Sequence, residues 1–475
     1  MPHAHAPTSF PTSHAGVGRA RALGDSDHRV LLRLGDALAA VVAVAGALLL
    51  WSVMRSAPLT PAAVTDYAVW FVLVVPWMLL LMPAHRPAAL FSLRTTAAAA
   101  AHAVITGAML YVLVFFLAPR GLLPRLVVLY FLTFAFALTL AWRFVYVQAF
   151  TRALRRTPVG IVGDGKAARR IAAVLRTTMP NKDVTALVGE RVSPPEPGAG
   201  LPATVNVDDL ERLVAERRIS ELILAHDGTL PPALIRAVVH AQERGVDVTR
   251  MPDVYERLLN RIPIRHLGPD VVLASSGDAA GDLFRFAKRA VDIAAGGIGC
   301  AVCLLLLPVL GAAVWLDVGS PILYRQERVG RAGRRFELLK FRTMGRDAEP
   351  DGPQWALPGD PRVSRCGRFL RRYCLDELPQ FWNVLKGEMS LVGPRPERPA
   401  FVDELAGAIP FYRERLVVRP GLTGWAQVNH PYGRSLEDAA TKLEYDLYYV
   451  KHRSLLLDLL IALRTAGAIL AFDKR

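Results

Sequence analysis

Hydrophobic residues come first in long unbroken blocks and later in short ones. The long blocks cover residues 30–53, 67–82, 97–118 and 126–147. A helix that crosses a bilayer core needs about 20 consecutive apolar residues. The first, third and fourth blocks meet that length, and the second is marginal. The short flanks carry unequal charge. Arg19, Arg21, Arg29 and Arg33 precede the first block, Arg55 alone follows it, and Arg152, Arg155 and Arg156 follow the fourth. Arg86 and Arg94 lie in the second loop, Arg120 and Arg125 in the third. Basic flanks stay cytoplasmic. The pattern therefore predicts four transmembrane helices over residues 29–150 with both ends inside; a soluble four-helix bundle is the alternative. Residues 1–28 are rich in Pro, His, Ser and Gly and are expected to be disordered. The first apolar block starts too late and runs too long for a cleaved signal peptide.

From residue 157 the period shortens. PVGIVGDGKAARRIAAVL reads as strand, glycine turn and helix, with Gly163, Gly165 and Ala168 in a G-x-G-x-x-A pattern. A second strand over 185–189 leads to Glu190, where a ribose-binding acid would sit. Strand 221–225 and helix 231–244 continue the alternation. This βαβ pattern predicts a Rossmann-like domain over 157–270. Lys166 and Arg169 beside the turn suit an anion, and a structural module without a ligand fits equally. Residues 251–282 read as a connector.

A fifth apolar block follows, over about 288–316. By length it could span. Its charges argue otherwise: Lys288 and Arg289 precede it, and Arg325, Arg328, Arg331, Arg334 and Arg335 follow it. Pro308 lies deep inside, where it removes a backbone hydrogen bond. The expectation is a re-entrant helix broken at Pro308, with an ordinary kinked span as the alternative. Residues 319–344 alternate apolar with basic. The last stretch, from Lys442, carries aromatic, apolar and basic residues at helical spacing, which suits an interfacial helix or a core-packed one.

Composition agrees with this division. The chain is 52% hydrophobic with a net charge of +15. With membrane segments present, that charge points to cytoplasmic loops and anionic headgroups, and no nucleic-acid partner is expected. Cys300, Cys303, Cys366 and Cys374 show neither zinc spacing nor a disulfide framework.

The chemistry concentrates in residues 365–399. Asp376 and Glu377 are adjacent, with Arg365, Arg368, Arg371 and Arg372 before them and Lys386 and Arg395 after. Guanidiniums bind phosphate oxygens bidentately. Carboxylates hold Mg²⁺ or attack phosphorus. The plainer alternative is a helix laced with surface ion pairs.

Several motifs in order resemble the bacterial polyprenyl-phosphate hexose-1-phosphate transferases, or monotopic phosphoglycosyl transferases. They are KRAVD (288–292), the Pro-containing membrane helix, YRQERVGR (324–331), FELLKFRTM (336–344), LDELPQFWNVLKGEMSLVGPRPE (375–397), RPGLTGWAQVN (419–429) and EYDLYY (444–449). The segment 428–439 is similar to the exopolysaccharide branch. One departure is Leu307, where the family often has a serine before the proline.

The resemblance implies an α-rich monotopic catalytic domain over 283–475, following the four-helix bundle and the α/β domain. It implies transfer of a sugar-1-phosphate, from UDP-glucose or UDP-galactose, to undecaprenyl phosphate at the bacterial inner membrane, with release of UMP. Asp376 would be the nucleophile and Glu377 its Mg²⁺-holding partner. Asp446 would be a further metal ligand. Arg371 would bind phosphate, and Pro394, Arg395 and Pro396 would contact the uridine or its phosphate. The resemblance also allows a homodimer through the soluble modules. Two rivals remain. A membrane-bound nucleotide-sugar dehydratase or epimerase would need a Tyr-x-x-x-Lys pair, which the chain lacks. A non-catalytic scaffold would not need the acid pair.

Overall fold

The computed structural model describes residues 25–54, 68–85, 93–117, 125–151, 157–163, 165–179, 182–189, 202, 204–225, 231–266, 281–345, 348, 360–430 and 435–470. The N-terminal residues expected to be disordered, Glu190 and most of the Pro-rich loop after it lie outside them.

Three long helices open the described chain: α1 (Asp25–Met54), α3 (Leu93–Leu117) and α4 (Arg125–Thr151). Between α1 and α3 the second apolar block gives a 3-10 turn, Ala68–Leu73, and a short helix, α2 (Val74–Leu80). Among the described residues this block is too short to cross a bilayer core of about 30 Å. Helices α1 and α4 pack closely: a Cβ at Gly35 would lie 2.0 Å from the Trp142 ring. Leu34, Leu38, Val41, Val42 and Leu49 of α1 face outward, as lipid-facing residues do. The most apolar 18 residues within 30–54 and within 126–149 have mean hydropathies of 2.4 and 1.8. Buried among these helices, Asp36 meets Arg143 Nη2 at 2.6 Å and His85 Nε2 at 2.7 Å.

The α/β domain is a parallel sheet in the order β3-β2-β1-β4-β5, with β1 (Thr157–Val162), β2 (Lys182–Gly189), β3 (Thr204–Asn206), β4 (Glu221–Leu224) and β5 (Asp247–Arg250). Parallel strands need crossovers that cover both faces. Helices α5 (Lys166–Thr178) and α8 (Met251–Leu259) cover one face; α6 (Leu210–Glu216) and α7 (Pro232–Glu243) cover the other. Central β1 buries Val159, Ile161 and Val162 completely. The order reverses between β1 and β4, beside the Gly163 turn. The supposed connector therefore begins as part of this domain, since Met251, Val254, Tyr255 and Leu258 of α8 lie in its core.

Helix α9 (Asp282–Val318) corrects one expectation. It is not interrupted at Pro308: helical backbone continues through the proline for 37 residues, roughly 55 Å at about 1.5 Å per residue. Proline removes one backbone hydrogen bond, a loss a helix can absorb as a bend. Packing holds both halves. Gly296 lies against Leu385 and Gly299 against Phe381, where a Cβ would lie 2.2 Å from the ring. Beyond the proline, Leu310 and Val314 join a core with Phe341 and Leu370. The outer side exposes Ile298, Leu304, Leu305, Val309 and Leu316.

The C-terminal region comprises a hairpin of β6 (Leu323–Val329) and β7 (Arg335–Phe341), α10 (Arg365–Arg372), α11 (Gln380–Lys386), β8 (Ser390–Val392), α12 (Pro399–Ala408), β9 (Gly421–Thr423), α13 (Trp425–Asn429), α14 (Leu436–His452) and α15 (Leu455–Leu470). The KRAVD residues tie α9 to it. Lys288 donates to Asp458 at 2.6 Å, and Asp292 accepts from Ser390 Oγ and the Leu391 amide. Arg289 donates to the carbonyls of Val384 and Leu385 at the end of α11, where such carbonyls lack helical partners. Helix α15 packs by Leu460 and Ile461 into a core with Val392, Trp425 and Tyr449, and its Gly467 meets Thr106 of α3. One side of the last helix is thus core-packed, while Leu455, Leu456 and Leu459 on its other side are exposed.

Candidate functional site

The acid pair sits on a sharp reversal. Helix α10 starts at an N-cap, where Ser364 Oγ accepts from the Gly367 amide at 3.0 Å. Gly367 allows α10 to press on residue 343, since a Cβ there would lie 2.3 Å from the Thr343 carbonyl. Contact with Thr343 also orients Arg371, whose Nε donates to Thr343 Oγ1 at 2.9 Å. Cys374 then takes a left-handed conformation (φ 56°), and the chain re-enters as the 3-10 turn Leu375–Glu377. Asp376 is 8% exposed.

Around the pair the charges are cationic. Arg395 Nη2 donates to Glu377 Oε1 at 2.7 Å. Burial and the adjacent Glu377 push Asp376 up to about 6, against the pull of Lys340, Arg371 and Arg395. Burial also works against the charge on Glu377, but Arg395, Lys340 and Arg328 prevail and hold it below the ordinary glutamate value. Lys340 drops to about 8, chiefly through burial and then the nearby Arg328. The two carboxylates thus differ by environment: Arg395, Lys340 and Arg328 favour the charged form of Glu377, whereas burial and Glu377 disfavour that of Asp376.

The GPRPE turn is held from three sides. Gly393 and Gly421 pack backbone on backbone, leaving no room for a side chain: a Cβ at Gly421 would lie 2.1 Å from Gly393 N. The Gly421 amide donates to the Pro394 carbonyl at 2.9 Å. Arg328 Nη1 donates to the Pro396 carbonyl at 2.9 Å, and Arg415 Nη2 to the Arg395 carbonyl at 2.9 Å.

Asp376, Glu377, Arg371 and Arg395 come together as the sequence suggested, with Pro394 and Pro396 framing Arg395. Asp446 takes another place. It is 1% exposed, and Arg415 Nη2 lies 2.7 Å from its Oδ2, a charge contact outside hydrogen-bond alignment. Sequence reasoning missed Lys340, Arg328 and Arg415. Lys340 left one usable signal, as the lone cation within the apolar run of β7.

Mg²⁺ fits the pair in part. No group of three His, Cys, Asp or Glu side chains forms a metal cluster among the described residues. Mg²⁺ commonly uses one or two carboxylates and completes its shell with substrate phosphates and water, and Asp376–Glu377 offers that donor set.

Known proteins resemble this chain over two stretches. The bacterial sugar transferase family matches residues 283–472, and a CoA-binding domain family matches residues 85–252. The UDP-N-acetylgalactosamine-undecaprenyl-phosphate N-acetylgalactosaminephosphotransferase of Aeromonas hydrophila is 41% identical over 225 residues, 47% of this chain and 52% of its own length. The UDP-glucose:undecaprenyl-phosphate glucose-1-phosphate transferase of Caulobacter vibrioides is 43% identical over 190 residues, 39% of this chain and 71% of its own. The undecaprenyl-phosphate glucose phosphotransferase of Komagataeibacter xylinus is 33% identical over 352 residues, 70% of this chain and 64% of its own. The chain thus spans about half the length of the first of these and about two thirds of the others. It belongs to the bacterial sugar transferase family, the polyprenyl-phosphate hexose-1-phosphate transferases.

Proposed function

We propose that the protein transfers a sugar-1-phosphate from a UDP-sugar to undecaprenyl phosphate at the cytoplasmic face of the bacterial inner membrane. The observation that carries this reading is a buried aspartate, pushed up to about 6, set among Lys340, Arg371 and Arg395.

An oxygen of ionised Asp376 attacks the β-phosphorus of the UDP-sugar. The bond from that phosphorus to the bridging oxygen breaks, and its electron pair leaves with UMP. An oxygen of undecaprenyl phosphate then attacks the aspartyl-linked phosphorus. The acyl–phosphate bond breaks and returns the carboxylate. Arg371, Lys340 and Arg395 offset the phosphate charge in both steps. Glu377, fixed by Arg395, would hold Mg²⁺ together with the diphosphate. When bound, that ion offsets the charge on the phosphates and on departing UMP.

Helix α9 supports a membrane-surface placement. Lys288 and Asp292 near its start bind the catalytic region, and Asp317 near its end accepts from the Cys366 amide at 3.0 Å. One domain holding both ends favours both flanks on one side of the membrane. The donor sugar is a hexose such as glucose or galactose, and the product feeds exopolysaccharide assembly.

The test is UMP release by the full chain in lipid nanodiscs, with undecaprenyl phosphate and a panel of UDP-sugars. Release with one UDP-hexose, and a phosphosugar adduct mapped to Asp376, are expected. No release with any member of the panel would overturn the reading.

A further inference from the structure

The EYD segment of α14 sends its two acids in different directions, and the second reaches the dyad indirectly. Asp446 is fully enclosed, and its partner Arg415 is 7% exposed. The Arg415 guanidinium makes three contacts. Nη2 lies 2.7 Å from Asp446 Oδ2 and also donates to the Arg395 carbonyl at 2.9 Å. Nη1 donates to the Tyr412 hydroxyl at 2.9 Å. From Arg395 the line continues to Glu377 at 2.7 Å.

We propose that Asp446 is a positioning residue that acts through Arg415 on Arg395, and not a magnesium ligand. A guanidinium stands at contact distance from the oxygen that a metal would need. The other charges acting on Asp446 are Glu397 and Lys442, and no three-donor cluster exists among the described residues. A buried arginine requires a buried counter-charge. Asp446 supplies it and fixes the guanidinium plane. That plane sets the height of the Arg395 carbonyl, and with it the guanidinium that grips Glu377. The inference rests on the reading of Asp376–Glu377 as the reacting pair.

The test uses the full chain in nanodiscs with two readouts. The first is Mn²⁺ binding by electron paramagnetic resonance, without turnover. Asp446→Asn is expected to leave the Mn²⁺ Kd within about twofold, whereas Glu377→Gln raises it at least about tenfold. The second is UMP release. Asp446→Asn and Arg415→Lys should each lower kcat about a hundredfold, the scale of a misplacement of about 1 Å. KM should change less, and the double variant should be no worse than the poorer single one. Asp446→Glu, which can still reach Arg415, should recover about tenfold over Asp446→Asn. Matching losses of Mn²⁺ affinity in Asp446→Asn and Glu377→Gln, or multiplicative losses in the double variant, would overturn the proposal. If the unaltered chain releases no UMP, the reading of the dyad fails instead, and the Mn²⁺ comparison still decides the role of Asp446.

Discussion

Of the buried clusters that pair carboxylates with arginine, two do opposite things with the charge. In the membrane bundle, Asp36 has Arg143 and His85 at 2.6 and 2.7 Å. Its negative charge is answered at contact distance on a helix pair that cannot move apart without exposing it. At the acid pair, Asp376 is 8% exposed against 0% for Asp36 but sits beside another acid, and burial plus that neighbour lift it to about 6. Saturated charge holds helices together; unsatisfied charge is chemistry in waiting. The contrast teaches that burial of an acid alone says little, and that the balance of partners decides.

The largest effect that could break this comparison is at Asp376. Asp376→Asn keeps the shape and removes the proposed nucleophile, so UMP release should fall by roughly 10⁴-fold or more. Folding should be retained, because the variant relieves a destabilised charge; the midpoint of thermal unfolding checks this. Activity above a few per cent would return the dyad to the class of structural ion pairs.

Next comes Asp36. Asp36→Ala strands Arg143 inside the bundle and should cost about 3–5 kcal/mol of stability, the usual consequence of breaking a buried pair. Unfolding in mixed micelles measures it. UMP release per folded molecule should stay within about twofold. Adding Arg143→Met to Asp36→Leu removes both charges and should recover most of the loss.

A third test reads the unsatisfied charge through pH. Asp376 must be ionised to attack, so the rate should rise with pH through about 6, tenfold per unit on the acid limb. Lys340 must be protonated to hold phosphate, so the rate should fall above about 8. The limbs belong to the pair, since each group lies in the field of the other. The UMP burst from UDP-sugar alone is the measurement to use, because undecaprenyl phosphate titrates in the same range. Lys340→Arg should remove the upper limb, since a guanidinium stays charged. A flat profile from pH 5 to 9 would contradict both assignments.

Local chemistry was legible in the sequence; long-range company was not. The βαβ pattern and the Gly163 turn predicted the sheet, because crossover helices and strands alternate in period. The dyad was visible because its two acids are adjacent and Arg371 and Arg395 flank them in one motif-rich stretch. Lys340 was hidden inside an apolar strand, and Arg415 lies far along the chain from both Glu377 and Asp446. Pro308 argued for a break on local grounds. The packing of Gly296, Gly299, Leu310 and Val314 kept the helix continuous. The short second block in the membrane bundle shows the same limit. Apolar length says how far a segment could reach, not how much of it becomes helix.

The smallest effect concerns Glu444, two residues from Asp446 and charge-satisfied like Asp36. It is 2% exposed and accepts from Tyr255 Oη at 3.1 Å and Arg170 Nη2 at 3.3 Å, with Arg261 Nε at 3.5 Å. Arg170 belongs to α5, directly after the Gly163–Gly165 turn, so this acid pins the α/β domain to the catalytic region. The Ile262 amide donates to the Glu444 carbonyl at 3.0 Å and reports on that junction. Burial raises Glu444 above the ordinary glutamate value, with Arg170 and Arg261 pulling against it. Glu444→Gln keeps the shape but leaves two partly exposed arginines facing an amide, a loss of about 1–2 kcal/mol. Hydrogen exchange at Ile262 should therefore accelerate about tenfold, while UMP release stays within about twofold. If release instead fell as far as in Asp446→Asn, the two acids of α14 would act as one unit. The α/β domain would then be coupled to the dyad, not merely docked beside it.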